Sequence, residues 1–423
     1  MLSNLTRSLL LCDISTLVNS KSVPANQNKP TNCRSCGALV EFLLDFGDQP
    51  IVNNLQTKPG DVPKFSIKVG GCTHCGLVQI LNPVDPSEFY TNYANSSSVK
   101  REPHLDKLIN ALMSKLEKNS KIIDIGCNDA KFLSRLKESG FNDLCGLEPT
   151  KNMSEVAIDA GFKVFNNYLD MKMSEEIIAK TGKFDCVVLR QVLEHIDNLS
   201  DFGSALRNLL KPNGLLVIEV PDAQAHFDGP DFALWEEHVN DFNLESLRRF
   251  LGRYGFSMEE NYDSKFNGVC LTAFSRLTET EAVEIAPAQH SVDSFRIWAK
   301  RFYSFRDAVQ SELREVTDNE APIALFGVGR RSSFFLNVTK IGDQISFAID
   351  DDPAKQGKYL PGTSILIRSR EDGFKLLKEN SLVLLGVNGE NENKLLDEIA
   401  PQKNWVFKSI LPPSEHLLSA FQK

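Results

Sequence analysis

The apolar positions change rhythm three times along the chain. From residue 32 to 86 they come in brief runs. Phe65–Lys68 and Leu77–Leu81 read as short strands beside two cysteine pairs. From 87 to 285, short β-branched runs alternate with helical spacings. Lys121–Ile125, Leu144–Glu148, Phe162–Phe165, Phe184–Leu189 and Gly214–Val220 predict strands, and Asp129–Glu138 predicts a helix. Such alternation predicts a parallel sheet covered on both faces. From 286 to 423 the pattern opens with Val292, Phe295, Trp298, Phe302, Phe305, Val309 and Leu313, three or four residues apart. That stripe predicts a long helix packed against a neighbouring domain. Strands are expected next at Pro322–Phe326, Ile345–Asp350 and Ser381–Gly386. Residues 1–31 read as a tail and linker, since Ser20–Asn32 is rich in Ser, Pro, Asn, Gln and Lys. The expected fold class is therefore α/β: an N-terminal cysteine-bearing subdomain, a Rossmann-like core and a second, smaller Rossmann-like domain.

Composition narrows this picture little. With 423 residues, 42% hydrophobic and 24% charged, the chain has the balance of a globular protein of about three domains. No run reaches the ~20 apolar residues of a membrane span, so no membrane partner and a cytoplasmic location are expected. The net charge of −9 argues against a nucleic-acid partner.

The cysteines say more. Four of nine form two pairs, Cys33-x-x-Cys36-Gly37 and Cys72-x-x-Cys75-Gly76. A tight C-x-x-C turn points two sulfurs inward, and two such knuckles suit tetrahedral zinc. With all four positions thiolate, no coordination site stays open, so the zinc is expected to be structural. A pair of redox dithiols would need a thioredoxin-like context, which is absent.

Asp124-Ile-Gly126-Cys-Asn128-Asp129 closes the first core strand and opens a helix, a setting for a ligand at a helix N-terminus. Glu148 lies 22 residues beyond Gly126, where a carboxylate can accept ribose hydroxyls. A dinucleotide-binding oxidoreductase is the competing reading of these features alone. The segment resembles motif I of class I S-adenosylmethionine-dependent methyltransferases. Phe184-Asp-Cys-Val-Val-Leu189-Arg-Gln191-Val-Leu-Glu-His195-Ile is similar to their fourth-strand motif, and Lys211-Pro-Asn-Gly214-Leu-Leu-Val-Ile to the turn before their fifth strand. The resemblance implies a cofactor site at Gly126, Asn128, Asp129, Glu148, Leu189 and Gln191. Ala130 departs from it, since many relatives carry a third glycine there.

The order of motifs resembles a narrower family: zinc-containing C-methyltransferases acting on nucleotide-linked keto-deoxysugars. The likeness runs from about residue 32 to 415, through the four cysteines, Ile125-Gly-Cys-Asn-Asp129 and Glu237-His238. The chemistry makes independent sense of these residue types. A ketone acidifies the neighbouring C–H, a base can form the enolate, and the carbanion can attack a sulfonium methyl. A histidine suits that proton abstraction, so His238 is the candidate base and Glu237 its helper. The alternative for that pair is a solvated surface loop. The resemblance adds His195 and Tyr93 to the catalytic set. Tyr90 could be the equivalent tyrosine instead, and His104, Ser96 and Ser97 are further candidate substrate contacts.

Gly327-Val-Gly329-Arg330-Arg331-Ser332 repeats the strand-to-helix turn, and Asp350 follows the next strand. Backbone N–H groups with Arg330 and Arg331 could hold a diphosphate, or the turn could serve packing alone. Relatives carry a different turn where the two arginines stand. The expected partner is a small-molecule acceptor, a nucleotide-sugar. Methylation of oxygen or nitrogen on another small molecule, or a non-enzymatic zinc-binding module with an inactive core, are the alternatives. The sugar, the methylated atom and the oligomeric state are not legible.

Overall fold

The computed structural model describes residues 31–85, 104–229, 231, 234–266, 268–278, 292–317, 321–399 and 404–422. Tyr90, Tyr93, Ser96 and Ser97 lie outside the described residues. So does the linker reading of residues 1–31 except at residue 31 itself.

Three sheets organise the chain. The first is four-stranded: β1 (Glu41–Pro50), β2 (Lys64–Gly71), β3 (Val78–Ile80) and, far along the sequence, β9 (Asn240–Asp241). All its pairings are antiparallel. The second is seven-stranded. β4 (Lys121–Ile125), β5 (Asp143–Leu147), β6 (Lys163–Phe165), β7 (Phe184–Arg190) and β8 (Leu210–Pro221) are parallel, and the hairpin β10 (Phe256–Lys265) with β11 (Val269–Leu277) closes the edge beside β8. The spatial order is β10-β11-β8-β7-β4-β5-β6. The third is five-stranded and parallel: β12 (Ile323–Phe326), β13 (Phe347–Ile349), β14 (Ile367–Arg368), β15 (Leu382–Leu385) and β16 (Val406–Ser409), ordered β14-β13-β12-β15-β16.

In both parallel sheets the chain starts in the middle, builds outward on one side, then returns to build the other. The reversal leaves a crevice beyond the carboxyl ends of β4 and β7, and another beyond β12 and β15. Ligands bind α/β sheets at such switch points.

The expected helix starts late. Asn128 and Ala130 have φ of 49° and 60°, so the turn is left-handed and helix begins only at Lys131. A left-handed residue is cheapest as glycine, which is the physical reason a glycine would suit position 130. β8 starts earlier than expected, at Leu210, because the Lys211–Gly214 turn is absorbed as a register shift against β7.

The predicted long helix spans Asp293–Thr317, and all seven stripe residues are buried. Its stripe shares one core with Leu44, Phe46, Ile67 and Val69 of the first sheet and Phe334 and Phe335 of the helix Arg330–Thr339. Phe46 sits edge-on to Trp298, Phe302 and Phe334. At roughly 1.5–3 kcal/mol per fully buried large apolar side chain, this shared core joins the N-terminal sheet to the C-terminal domain. Another core joins Cys33, Cys72, Cys75 and Leu77 to β4, β7 and β8.

Candidate active site and metal centre

Each cysteine knuckle is closed by the same two backbone bonds. Gly37 N–H donates to Cys33 O and Cys33 N–H to Ala38 O; Gly76 and Cys72 repeat this with Cys72 O and Leu77 O. The four Sγ atoms lie within 4.8 Å of one another. Cys33 and Cys75 sulfurs are 3.5 Å apart and Cys36 and Cys72 sulfurs 3.4 Å. A disulfide needs about 2.05 Å, whereas thiolates about 2.3 Å from one zinc ion sit about 3.8 Å from each other. The donor set and its spacing fit a structural zinc.

Gly126, with φ of 76°, turns the chain at the end of β4. A Cβ there would stand 2.6 Å from Val192 Cγ2, so the loop needs glycine for both its backbone and its space. Glu148 is almost fully buried. Its two oxygens accept from Asn128 N–H at 2.9 Å and Thr150 N–H at 2.8 Å, which locks the carboxylate over the loop. Gly126, Asn128, Glu148 and Gln191 line one cavity of about 1030 Å³. Two of the expected cofactor residues do not line it. Leu189 is wholly buried in the core, and Asp129 turns toward Lys131 at 3.4 Å. Beneath the loop, Asp124 is buried, and desolvation pushes its carboxyl up to about 7. These groups fit S-adenosylmethionine: a fixed carboxylate for hydroxyls, and a glycine turn that admits close approach.

The same cavity reaches His195 and His238. His195 ends a single 3-10 turn, Leu193–His195, after β7. Its Nδ1 lies 2.7 Å from Glu237 O, a contact that requires Nδ1–H to donate. Burial pushes this imidazole down to about 4, so it is neutral near pH 7. The rings of His195 and His238 meet edge-on at 4.9 Å, and Trp235 lies against His238 at 3.7 Å between centroids. Glu237 accepts from Asn53 Nδ2 at 3.0 Å and lies 3.3 Å from Arg330 Nε. Burial raises its carboxyl pKa, against the pull of Arg330. Glu237 and His238 are 2% and 8% exposed, which excludes a solvated surface pair.

The loop that carries this pair is held from the N-terminal sheet. β9 begins two residues after His238 and pairs with β3 through Val78–Asp241 and Gln79–Asn240. Asn240 Nδ2 donates to Ile196 O at 2.6 Å, tying the His195 turn to the same strand. Arg34, inside the first knuckle, donates to Ile80 O, Val239 O and Asp197 Oδ1. Sequence reasoning missed Arg34, Trp235 and Glu194. Glu194 lies inside the fourth-strand motif and Arg34 inside the first cysteine pair, and Trp235 stands three residues before His238, but nothing in their spacing marks them. The His104 ring lies tilted against Phe266, 4.6 Å between ring centroids.

In the C-terminal domain Gly327 turns the chain with φ of 93°, and Val328 N–H donates to Asp350 Oδ2 at 2.7 Å. Lys355 Nζ lies 3.1 Å from the same oxygen. Gly327, Gly329, Arg330, Arg331, Asp350 and Lys355 line the shared cavity. Arg331 is 7% exposed and pairs with Asp231 at 2.6 Å and Pro412 O at 3.0 Å.

A glycine-turned cofactor crevice, a buried histidine pair and a four-sulfur cluster define an S-adenosylmethionine-dependent methyltransferase with structural zinc. Residues 33–90 match a zinc binding domain family, 99–261 a methyltransferase domain family and 271–399 the C-methyltransferase C-terminal domain family. The three matches follow one another in the order of a C-methyltransferase that carries an N-terminal zinc-binding domain. It is 25% identical over 377 residues to C-methyltransferase NovU of Streptomyces niveus, covering 83% of this chain and 89% of that protein. It is 30% identical over 154 residues to the ubiquinone biosynthesis O-methyltransferase of Rickettsia conorii, covering 36% of this chain and 48% of that protein. Among solved structures, magnesium protoporphyrin IX methyltransferase of Synechocystis PCC 6803 matches at 15% identity and a TM-score of 0.34, covering 45% of this chain and 93% of that one. No helix among the described residues is long and apolar enough to cross a membrane.

Proposed function

We propose that this enzyme methylates carbon beside the ketone of a nucleotide-linked keto-sugar. One observation carries the reading: the cofactor loop, the buried histidine pair and the C-terminal glycine turn open into one cavity of about 1030 Å³. That is at the upper end of small-molecule sites, and suits a cofactor together with a long acceptor.

In this reading Cys33, Cys36, Cys72 and Cys75 hold the zinc, which shapes the N-terminal sheet. Glu148, with its oxygens fixed by Asn128 and Thr150 N–H groups, takes the cofactor's ribose hydroxyls. Gly126 and Gln191 admit the methionine end. S-adenosylmethionine supplies an electrophilic methyl group. His238 takes the proton from the carbon next to the ketone: the C–H bond breaks, its electron pair moves toward the carbonyl oxygen, and the proton goes to an imidazole nitrogen. Trp235 holds the ring, and the buried surroundings exclude competing water. Glu237 orients the acceptor or steadies the imidazolium. The nucleotide end lies at the second switch point, where Arg330 and Lys355 face the cavity. Both arginines have a carboxylate beside them, Glu237 for Arg330 and Asp231 for Arg331, but the Arg330 side chain is 23% exposed against 8% for Arg331 and so presents more of its guanidinium to the cavity.

The likeness to an O-methyltransferase over 154 residues supports a second reading, transfer to oxygen. Labelled S-adenosylmethionine with a panel of nucleotide-keto-sugars in deuterium oxide separates the two. Carbon methylation predicts deuterium at the carbon next to the ketone, lost in His238→Asn. Methylation that survives His238→Asn with no exchange overturns the enolate route.

A further inference from the structure

Glu194 is the least explained polar group in the cavity. It is 2% exposed, lines the cavity beside His195, and neither carboxylate oxygen receives a hydrogen bond from another residue. A buried carboxyl group without partners costs on the order of several kcal/mol, and in native proteins such a group commonly marks an ion or an ordered water. The side chains around it point to an ion. Ligand atoms of Glu194, His195 and His238 lie within 4.8 Å of one another. His195 Nδ1–H is committed to Glu237 O at 2.7 Å, so in the neutral ring the lone pair sits on Nε2. An imidazole oriented through its other nitrogen by a backbone carbonyl is the usual support of a metal ligand. Asn240 holds the same turn through Leu193 O and Ile196 O.

We propose that Glu194, His195 and His238 form a second metal site, distinct from the four cysteines, that takes a divalent transition ion such as Zn²⁺, Co²⁺ or Ni²⁺. Two imidazoles and one carboxylate select these ions over Mg²⁺ or Ca²⁺, which prefer all-oxygen shells. Three protein ligands leave positions open to the cavity. An ion held there engages a nitrogen of His238, so that ring cannot also accept a proton. The site is therefore inhibitory toward the proposed base chemistry: ion and proton compete for one imidazole. The ion-binding half of the proposal stands without the proposed reaction.

The test uses full-length protein with its cysteine site filled by zinc, and no methyl acceptor. Co²⁺ is titrated in while absorbance and bound metal are followed. One additional equivalent is expected, with weak ligand-field bands and no thiolate-to-cobalt charge transfer. Glu194→Gln and His195→Asn should each weaken that uptake at least tenfold. Calorimetric binding of S-adenosylmethionine and thermal melting report that the variants are folded. Absence of a further equivalent in the wild-type protein overturns the proposal, whatever the variants do. So does cobalt that only displaces zinc from the cysteines, or equal uptake by folded variants. None of these results bears on whether the enzyme methylates carbon.

Discussion

The two parallel sheets solve one local problem in nearly the same way. In the cofactor sheet Gly126 N–H donates to Leu147 O, and Asn128 N–H to Glu148. In the C-terminal sheet Gly327 N–H donates to Ile349 O, and Val328 N–H to Asp350. A Cβ at either glycine would stand 2.6 Å from a valine side chain, Val192 in one case and Val387 in the other. The second oxygen of each acid also takes a backbone N–H, from Thr150 and from Asp352. The difference is Lys355. It reaches Asp350 Oδ2 at 3.1 Å and Val328 O at 2.7 Å. Glu148 has no ion pair among the described residues. One turn keeps its acid without a cation beside it, and the other pairs its acid with a lysine, so only the first leaves a net negative charge at the turn. A shared backbone device thus takes different chemistry from one side chain.

The largest effect should come from the lobe that touches both sheets. Cys75→Ser removes one zinc ligand. Loss of zinc and of more than about 4 kcal/mol of stability are expected, read by metal content and urea unfolding. Hydrogen exchange should rise first in β3 and β9, taking the His238 loop with them. If that loop keeps its protection, β9 is not what holds it.

Next in size is the contrast between the acids. Glu148→Gln should weaken S-adenosylmethionine about 10–100-fold by calorimetry, since a fixed buried charge with its donors is worth about 1.5–3 kcal/mol. Asp350→Asn should leave that affinity within about twofold and lower the melting temperature instead, because Lys355 loses its partner. Equal effects on cofactor affinity would erase the distinction between the turns.

A pH series tests what lies beneath the first turn. Asp124 is raised to about 7 by burial, from an ordinary 3.8. The folded chain then binds more protons than the unfolded chain between those values. This group's contribution is fully present below about pH 4 and is lost as pH rises to about 7, by up to about 1.4 kcal/mol per pH unit. Asp124→Asn should remove that slope from the stability profile. An unchanged slope would show that the aspartate is ionised when folded.

Ala130→Gly should do least. It relieves a left-handed alanine, worth about 1 kcal/mol, but adds freedom to the unfolded chain worth about 0.4–1 kcal/mol. A melting shift near zero, or slightly upward, is expected. A clear loss would mean that the alanine methyl packs usefully in the loop.

Much of the fold was legible because it follows local rules. The five core strands and the three C-terminal ones were bounded to within a few residues, since buried parallel strands read as short apolar runs between turn residues. The long helix was legible for the opposite reason, its periodicity. β1 and the hairpin β10–β11 went unread. β11 is buried from Cys270 to Ser275 with polar Thr272 and Ser275 among the apolar residues, and β10 is polar along most of its length, so neither shows clean alternation. β9 has two residues, Asn240 and Asp241, and no sequence rule would make them a strand.

The site divides along the same line. Local chemistry alone determined what could be built: sulfurs in knuckles, a glycine turn followed by an acid, a histidine beside a glutamate. These signals depend on neighbours within a few residues. The meeting of parts was decided only by tertiary structure, because it depends on contacts across long separations. Arg34 reaches Val239 across 205 positions, and β3 receives β9 from more than 150 residues away. Neither partner carries a mark of the other in its own sequence. Folding placed the zinc lobe against the histidine loop, set Glu194 beside two imidazoles, and joined two switch points in one cavity. Hydrophobic burial is non-directional, so the apolar pattern could say that these surfaces would be covered. Which surface covers which was settled by the packing of the whole chain.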